Sequence, residues 1–162
     1  MIAMAQLIVR NLTIQVVVSC RLVSGWLLDT NVVSELRKRE RANANVLAWY
    51  AAVDGEALWL SVLVLGEIRR GIDSLRRRDD RSARALDRWM ARLERQHGSR
   101  ILPVDLAVAL EWGRLDAAFG LSPIDGLLAA TARVHRLTLA TRNTKHVART
   151  GVECFDPFAA RG

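Results

Sequence analysis

Short apolar runs alternate with helical patterns along most of this 162-residue chain. The apolar runs predict strands at residues 26–28, 57–62, 101–104, 137–140 and 152–155. Apolar residues at spacings of three and four predict helices at 30–39, 43–53, 67–72, 80–97, 105–119 and 122–136. Strands that are apolar throughout and separated by helices are typical of a parallel sheet buried on both faces. We therefore predict an α/β fold, a three-layer α/β/α sandwich with a central parallel sheet.

The composition suits one folded domain that binds an anionic partner. Apolar residues make up 51% and charged residues 25% of the chain, which excludes a disordered or low-complexity protein. There are 24 Lys and Arg against 17 Asp and Glu, a net charge of +7, and every cation except Lys38 and Lys145 is arginine. Arginine binds phosphate and carboxylate groups through paired hydrogen bonds. The composition therefore predicts a phosphate- or carboxylate-bearing partner without distinguishing the two.

The cysteines and histidines exclude several common kinds of site. Cys20 and Cys154 form neither a metal-ligand spacing nor a disulfide framework, which is typical of a reducing compartment such as the cytoplasm. His97, His135 and His146 lie in separate segments, so we expect no zinc site built from neighbouring His and Cys residues. The chain contains no run of 18 consecutive apolar residues, so we also expect no membrane span.

Residues 1–22 allow three interpretations. The first is an export signal, because residues 17–20 resemble a lipoprotein cleavage site, although the positive charge comes late and polar residues interrupt the apolar run. The second is an edge strand over residues 12–18, which are rich in β-branched side chains. The third, which we favour, places the natural start at Val23. We therefore predict that residues 1–22 are an N-terminal extension that does not belong to the native protein, and that 23–162 form a single domain.

Four polar side chains stand where strands of the predicted sheet end. Asp29 follows the first strand, Glu67 lies in the helix after the second, Asp125 begins the helix at 122–136, and Asn143 follows the fourth strand. In open α/β sheets the working site lies at the carboxyl ends of the strands. We therefore expect these four side chains to lie close together in one cleft.

Most of these residues also have a purely structural explanation. Asp29 is a favoured N-cap residue, and Asp125 fits a capping box that begins at Ser122. Asn143 similarly fits the N-cap of the short helix that follows it. Glu67 is harder to explain in this way, because apolar residues surround it in the sequence. All four lie at positions that a parallel sheet would bring together. This placement favours a shared site over four separate caps.

Three carboxylates in one cleft repel one another unless a cation lies between them. Ligands that are all oxygens, with no nearby His or Cys, favour a hard ion such as Mg²⁺ or Mn²⁺. Such an ion lowers the pKa of a bound water and neutralises charge on a phosphodiester under attack. Arginines around the site would hold a nucleic-acid backbone. The sequence thus predicts metal-dependent hydrolysis of phosphodiester bonds.

Four motifs, in a fixed order along the chain, resemble those of PIN-domain proteins. They are LLDTNVVSELRK at 27–38, SVLVLGEIRRG at 61–71, SPIDGLLAATAR at 122–133 and LATRNTKH at 139–146. The resemblance is strongest to the VapC-type toxins of bacterial toxin–antitoxin pairs, especially their FitB-like branch, and it covers residues 26–158. One motif alone is a weak signal, but four in this order are specific.

The resemblance implies an endoribonuclease that acts in the cytoplasm and depends on Mg²⁺, with Mn²⁺ as an alternative ion. The first, second and third acids of the family correspond to Asp29, Glu67 and Asp125. Asp29 and Asp125 are the implied direct metal ligands, with Glu67 as the third acid of the metal site. The fourth position of the family, often Asp, is Asn143 here. The resemblance makes it a catalytic residue together with the three acids, since an asparagine can still hydrogen-bond or orient a metal-bound water. It adds no negative charge, which leaves its share in metal binding open.

Other positions match the family as site-ordering residues or depart from it. Asn31 and Thr141 match polar neighbours that the family uses to order the site. His146 and Val147 stand where the family often has an acidic and an aromatic residue. We assign no catalytic role to His146, because a single exposed histidine on a short helix is more often incidental.

The resemblance also implies partners. They are an RNA substrate, a cognate antitoxin whose tail lies in the acidic cleft, and a second copy of the chain in a homodimer. Operator DNA is reached only through the antitoxin, and no membrane is involved. The alternative function is a non-catalytic PIN-like module that binds nucleic acid or protein, which the Asn143 departure supports. A dinucleotide-binding domain is set aside, since no glycine-rich turn follows the first strand.

Overall fold

The computed structural model describes residues 25–159, so the extension at 1–22 and the start predicted at Val23 lie outside the described residues. The strands of the described part are β1 (Trp26–Leu28), β2 (Leu58–Ser61), β3 (Ile101–Leu102), β4 (Thr138–Ala140) and β5 (Cys154–Phe155). Its α-helices are α1 (Thr30–Leu36), α2 (Ala44–Ala52), α3 (Val62–Arg76), α4 (Asp80–His97), α5 (Leu106–Phe119), α6 (Pro123–His135) and α7 (Thr144–Ala148). None of these helices is long and apolar enough to span a lipid bilayer.

The described strands form one parallel sheet in the order β3-β2-β1-β4-β5. Trp26 of β1 lies opposite Leu58 of β2 on one side and opposite Thr138 of β4 on the other. Leu27 and Leu28 point to opposite faces of the sheet and are 0% and 2% exposed. Both faces are therefore covered, and the predicted α/β sandwich with a central parallel sheet is confirmed.

The junction between β2 and α3 differs from the prediction. The strand predicted at 57–62 ends at Ser61, whose hydroxyl accepts a hydrogen bond from the Leu63 amide at 3.2 Å and caps α3. The helix predicted at 67–72 therefore begins directly after β2 and is longer at both ends. As a result, Glu67 lies in the second turn of α3, close to the carboxyl end of the sheet.

The junction between β3 and α5 is also shorter than predicted. The strand predicted at 101–104 ends at Leu102, because Pro103 has no amide hydrogen to donate to the neighbouring strand. Asp105 then caps α5, and its carboxylate accepts a hydrogen bond from the Val108 amide at 2.9 Å. At the first junction one residue, Ser61, ends the strand and caps the helix. At the second, Pro103 ends the strand and Asp105 caps the helix.

Helix α4 matches the amphipathic pattern of the sequence. Ala83, Met90 and Leu93 are buried on one face, and the helix packs against α3. Gly98 ends the helix with a φ of +46°, a conformation that glycine adopts without a side-chain clash. The C-terminal boundary of α4 is therefore where the sequence predicts it.

Candidate active site

An open cleft of about 570 Å³ lies at the carboxyl ends of β1 and β4. It is lined by Asp29, Thr30, Asn31, Ser34, Glu67, Ser122, Pro123, Ile124, Asp125 and Asn143. The structure thus brings together the four side chains that the sequence places at strand ends. Thr141 does not line the cleft but lies buried behind it, in contact with Asp29.

Asp29 is positioned directly by the central strand. Its backbone amide donates to the Ala140 carbonyl at 3.0 Å, which continues the β1–β4 ladder by one residue. The residue is only 8% exposed. Oδ2 of Asp29 accepts hydrogen bonds from the Thr141 hydroxyl at 2.6 Å and from Asn31 Nδ2 at 2.5 Å. Both side-chain donors contact the same oxygen, so the other carboxylate oxygen has no side-chain donor among residues 25–159.

The electrostatic environment of Asp29 disfavours its charge. Burial raises the pKa of Asp29, because the ionised carboxylate loses contact with water. The hydrogen bonds from Thr141 and from the backbone of Thr30 lower the pKa, and the nearby charges of Asp125 and Glu67 raise it. The resulting pKa lies above the ordinary value. A cation beside this carboxylate would remove the cost of ionising it.

Glu67 enters the cleft from the second turn of α3. Its Oε2 accepts a hydrogen bond from the Thr30 hydroxyl at 2.5 Å, which ties α3 to the first residue of α1. Oε1 lies 3.8 Å from Arg70 Nη2, but the Arg70 side chain is 83% exposed. Such an exposed pair stabilises little. Glu67 therefore brings a carboxylate to the cleft that no buried cation neutralises within the described part of the chain.

Asp125 and Asn143 meet on the opposite side of the cleft. Asn143 Nδ2 donates to Asp125 Oδ2 at 3.1 Å, which joins the start of α6 to the segment after β4. The Asn143 backbone amide donates to the Thr141 hydroxyl at 3.0 Å, and that hydroxyl in turn donates to Asp29. Asn31 Oδ1 accepts from the Arg142 amide at 3.3 Å. The side chains expected to order the site thus connect the ends of β1 and β4.

The capping explanations do not account for these side chains. Asp29 occupies the N-cap position of α1 but makes no side-chain capping hydrogen bond, and the same holds for Asn143 at α7. At α6 the cap is Ser122, which accepts from the Asp125 amide at 3.4 Å. The Asp125 carboxylate itself accepts from Asn143. These three polar side chains are therefore directed to the cleft network rather than to helix ends.

Close packing of α6 against α5 holds Asp125 at the cleft. The next residue, Gly126, faces Trp112 of α5, and an added Cβ would lie 3.0 Å from Trp112 Cδ1 and 3.1 Å from Nε1. Most Cβ atoms do not approach a neighbour so closely. The missing side chain at position 126 therefore allows the first turn of α6 to lie where it does.

The sequence analysis assigned no part in the site to three residues of this region. Thr30 and Ser34 line the cleft, and their spacing of four on α1 places them on one helix face. His146 Nδ1 lies 2.6 Å from Asn143 Oδ1, one helical turn away. The spacing of three between Asn143 and His146 is the signal that would have suggested this contact.

The donors in the cleft fit a hard divalent cation. They are carboxylate, hydroxyl and amide oxygens. Within residues 25–159, however, no three His, Cys, Asp or Glu side chains are arranged to hold a metal ion together. Mg²⁺ needs only one or two protein carboxylates, because it keeps several waters. The buried Asp29, with its raised pKa, and Asp125 across the cleft meet that requirement. The same donor set suits no soft or thiolate-binding metal.

The described fold and the cleft define a known domain class. The PIN domain family matches residues 26–152. The chain therefore belongs to the PIN-domain family, as the resemblance of the four motifs implies.

Relatives and solved structures sharpen this assignment. Toxin FitB of Neisseria gonorrhoeae is 33% identical over 141 residues, 82% of this chain and 97% of FitB. VapC ribonuclease Y4jK of Sinorhizobium fredii is 34% identical over 140 residues, 81% of this chain and 96% of that protein. The structure of FitAB bound to an IR36 DNA fragment matches with a TM-score of 0.77 at 31% identity, over 85% of this chain and 98% of that one. Within the family, the chain is thus related to the FitB and VapC toxins.

Proposed function

We propose that this chain is the toxin of a toxin–antitoxin pair and a Mg²⁺-dependent endoribonuclease that acts in the cytoplasm. The observation that carries the proposal is the buried Asp29 carboxylate, whose pKa is raised and which shares a cleft with Asp125 and Glu67. A cluster of carboxylates without neutralising partners is costly unless it serves to hold a cation. The relationship to FitB and to VapC ribonuclease Y4jK supports the same activity.

Five residues at or behind the cleft have a proposed part in the reaction. Asp29 and Asp125 would hold Mg²⁺, and Glu67 would add a third carboxylate on the α3 side. The bound ion would lower the pKa of a water and neutralise charge on the scissile phosphodiester. Thr141 and Asn31 keep Asp29 in one orientation through their hydrogen bonds to Oδ2. The arginine-rich surface draws RNA toward the cleft, since the chain carries a net charge of +7.

Cleavage of total RNA tests the proposal. We expect cleavage with Mg²⁺, none with EDTA, and none by the Asp29→Asn variant with Mg²⁺. Asp87→Asn is the matched control, because it removes one carboxylate from the α3–α4 surface without touching the cleft. Full cleavage in EDTA or by Asp29→Asn would contradict the metal mechanism. No cleavage by the wild type in any condition would favour the non-catalytic binding module, to which Asn143 gives support.

The antitoxin partner is proposed to occupy an apolar groove as well as the cleft. A groove of about 310 Å³ lies between α1, α2 and α4, with Leu36, Leu47 and Leu93 among its lining residues. Arg37 and Arg39 also line it, so an apolar segment with acidic flanks fits this surface. The related FitAB structure, a complex bound to DNA, supports a partner of this kind and a contact with operator DNA through it.

Co-expression with the product of an adjacent short reading frame tests the partner. Tyr50 lines the groove and is exposed, so Tyr50→Asp places a charge on the apolar surface without reaching the cleft. We expect this variant to lose co-purification while it still cleaves RNA. Ala51→Asp is the control, because Ala51 is an exposed neighbour that does not line the groove. Equal loss in both variants would contradict the assignment of the groove.

A homodimer is proposed from an apolar surface at the start of α5. Leu106 is 75% exposed and Leu110 is 55% exposed, one turn apart on the same face, with Val104 beside them in the sequence. Light scattering should show a dimer for the wild type and a monomer for Leu106→Glu. Ala118→Glu adds the same charge at an exposed position elsewhere on α5 and should stay dimeric. A monomeric wild type would contradict this part of the proposal.

A further inference from the structure

Three side chains form a row from the protein surface to the cleft. His146 Nδ1 lies 2.6 Å from Asn143 Oδ1, and Asn143 Nδ2 lies 3.1 Å from Asp125 Oδ2. His146 is exposed on α7, Asn143 is half-buried, and Asp125 lines the cleft. The row thus connects a surface histidine to a carboxylate of the cleft through one amide group.

The chemistry of these groups decides which atom donates at each contact. An ionised carboxylate only accepts hydrogen bonds, so the atom of Asn143 that faces Asp125 is the NH₂ group. The Asn143 carbonyl oxygen then faces His146, and a carbonyl also only accepts. His146 must therefore donate through Nδ1–H. The orientation of the Asn143 amide therefore determines the tautomer of neutral His146, which carries its proton on Nδ1.

The backbone of Asn143 is held independently of this row. Its amide donates to the Thr141 hydroxyl at 3.0 Å, so the main chain is fixed and the side-chain amide can still rotate. Without a donor at position 146, the amide could turn its carbonyl oxygen toward the Asp125 carboxylate. Two acceptors facing each other repel, and Asp125 would lose its only side-chain donor among the described residues. The histidine removes this second orientation.

We infer that His146 is a positioning residue of the metal site, which acts through Asn143 on the Asp125 carboxylate. The inference rests on the proposed function of the cleft, and it assigns a role to a residue that contacts no proposed metal ligand. It also explains the asparagine at this position. With its Oδ1 engaged by His146, Asn143 serves Asp125 as a hydrogen-bond donor, which an aspartate could not do when ionised.

Mg²⁺ binding to the RNA-free protein, measured by titration calorimetry, tests this role directly. His146→Leu removes the donor that orients Asn143, so Asp125 loses its fixed hydrogen-bond partner. Mg²⁺ binding should weaken about 10-fold, the size expected when such a partner of a metal ligand is lost. His146→Gln keeps an N–H donor and should stay within about 2-fold of the wild type on the same scale. Lys145→Gln, a change at an exposed neighbour on α7, is the matched control. Unchanged Mg²⁺ affinity in His146→Leu would overturn the inference.

A double-mutant cycle tests whether His146 acts through Asn143. Asn143→Ala alone should weaken Mg²⁺ binding, and adding His146→Leu to it should cause no further loss. Additive losses would show that His146 acts by another route and would overturn the inference. Melting temperatures of all variants in EDTA separate loss of the site from loss of the fold. If His146→Leu fails to fold, the tautomer of His146 in the wild type and in Asn143→Ala still decides.

The tautomer gives a readout that does not depend on catalysis. Long-range ¹H–¹⁵N spectra of the metal-free protein above the pKa of free histidine should show His146 as the Nδ1–H tautomer. In Asn143→Ala the acceptor is gone, and the Nδ1–H preference should disappear. A wild type that holds the Nε2–H form would overturn the inference. Absence of Mg²⁺-dependent RNA cleavage by the wild type would instead contradict the proposed function and leave this spectrum unchanged.

Discussion

Two groups of carboxylates in this protein lie in opposite electrostatic environments. On the α3–α4 surface, Asp87 accepts hydrogen bonds from Arg69 at 2.7 Å and from Arg76 at 2.6 Å. These arginines lower the pKa of Asp87. In the cleft, burial and two neighbouring carboxylates raise the pKa of Asp29. The chain carries an excess of arginine, yet none of it forms a close ion pair with Asp29 within the described residues.

The difference separates acids that stabilise the fold from acids that, under the proposed function, bind a cation. Asp87 joins two helices, and its charge is compensated by groups of the protein itself. Asp29 is held in place by Thr141 and Asn31, which are neutral donors and leave its charge uncompensated. Neutral donors fix orientation without competing for a cation. A carboxylate that is precisely oriented and uncompensated is therefore the better indicator of a site than an acid as such.

The largest expected effect is the loss of cleavage when an uncompensated acid is removed. Asp29→Asn should reduce Mg²⁺-dependent cleavage by at least about 100-fold, because it removes a proposed direct ligand. Asp87→Asn should leave the rate within about 2-fold on the same scale. Initial rates on one RNA substrate at saturating Mg²⁺ check this contrast. Equal losses in the two variants would break the distinction between the two groups of acids.

A smaller effect is expected when the orientation of Asp29 is disturbed but its charge is kept. Thr141→Val removes the buried hydroxyl that donates to Asp29 and accepts from the Asn143 amide. Cleavage should fall about 10-fold, and the Mg²⁺ concentration for half-maximal rate should rise. Thr144→Val, at a half-buried position outside the Asp29 network, is the control. A full rate in Thr141→Val would mean that the ligand needs no fixed orientation.

The contributions of Asp29 and Asp87 to stability should change with pH in opposite directions. Asp29 has an ordinary pKa of 3.8 that the fold raises, so metal-free stability falls as the pH rises from that value through the raised pKa. Asp87 has its pKa lowered, so its stabilisation is present above 3.8 and is lost as the pH falls through the lowered pKa. Urea unfolding in EDTA should thus show Asp29→Asn more stable than the wild type at neutral pH and Asp87→Asn less stable. Added Mg²⁺ should stabilise only proteins that keep Asp29.

The smallest effect concerns the backbone that carries Asp125. Gly126→Ala should lower the free energy of unfolding by about 1 kcal/mol, because its Cβ presses on Trp112. Gly113→Ala on α5 is the matched control, since its Cβ meets no atom within 4 Å. That variant should gain about 0.5 kcal/mol from the higher helix propensity of alanine. The reverse order of stabilities would show that close packing does not set the position of α6.

The sequence was sufficient to predict the architecture and to predict which polar residues lie close together. Apolar strand runs predict a parallel sheet, and the strand-end rule predicts that Asp29, Glu67, Asp125 and Asn143 meet. The sequence does not reveal which donor faces which oxygen, because that depends on side-chain rotamers and on packing between distant segments. The contact from His146 to Asn143 is of this kind. Strand ends at Ser61 and before Pro103 were missed because one capping hydroxyl or one missing amide hydrogen decides them.

The hydrogen bond from Thr141 to Asp29 joins residues 112 positions apart in the chain. A nascent chain therefore carries Asp29 and Glu67 long before the residues that orient and complete the cleft have been made. A fragment that stops before β4 has no edge for β1 to pair with on that side and no donor to Asp29 from Thr141. Under the proposed function, we therefore expect the chain to gain nuclease activity only after β4 has left the ribosome, and fragments that end before β4 should not cleave RNA.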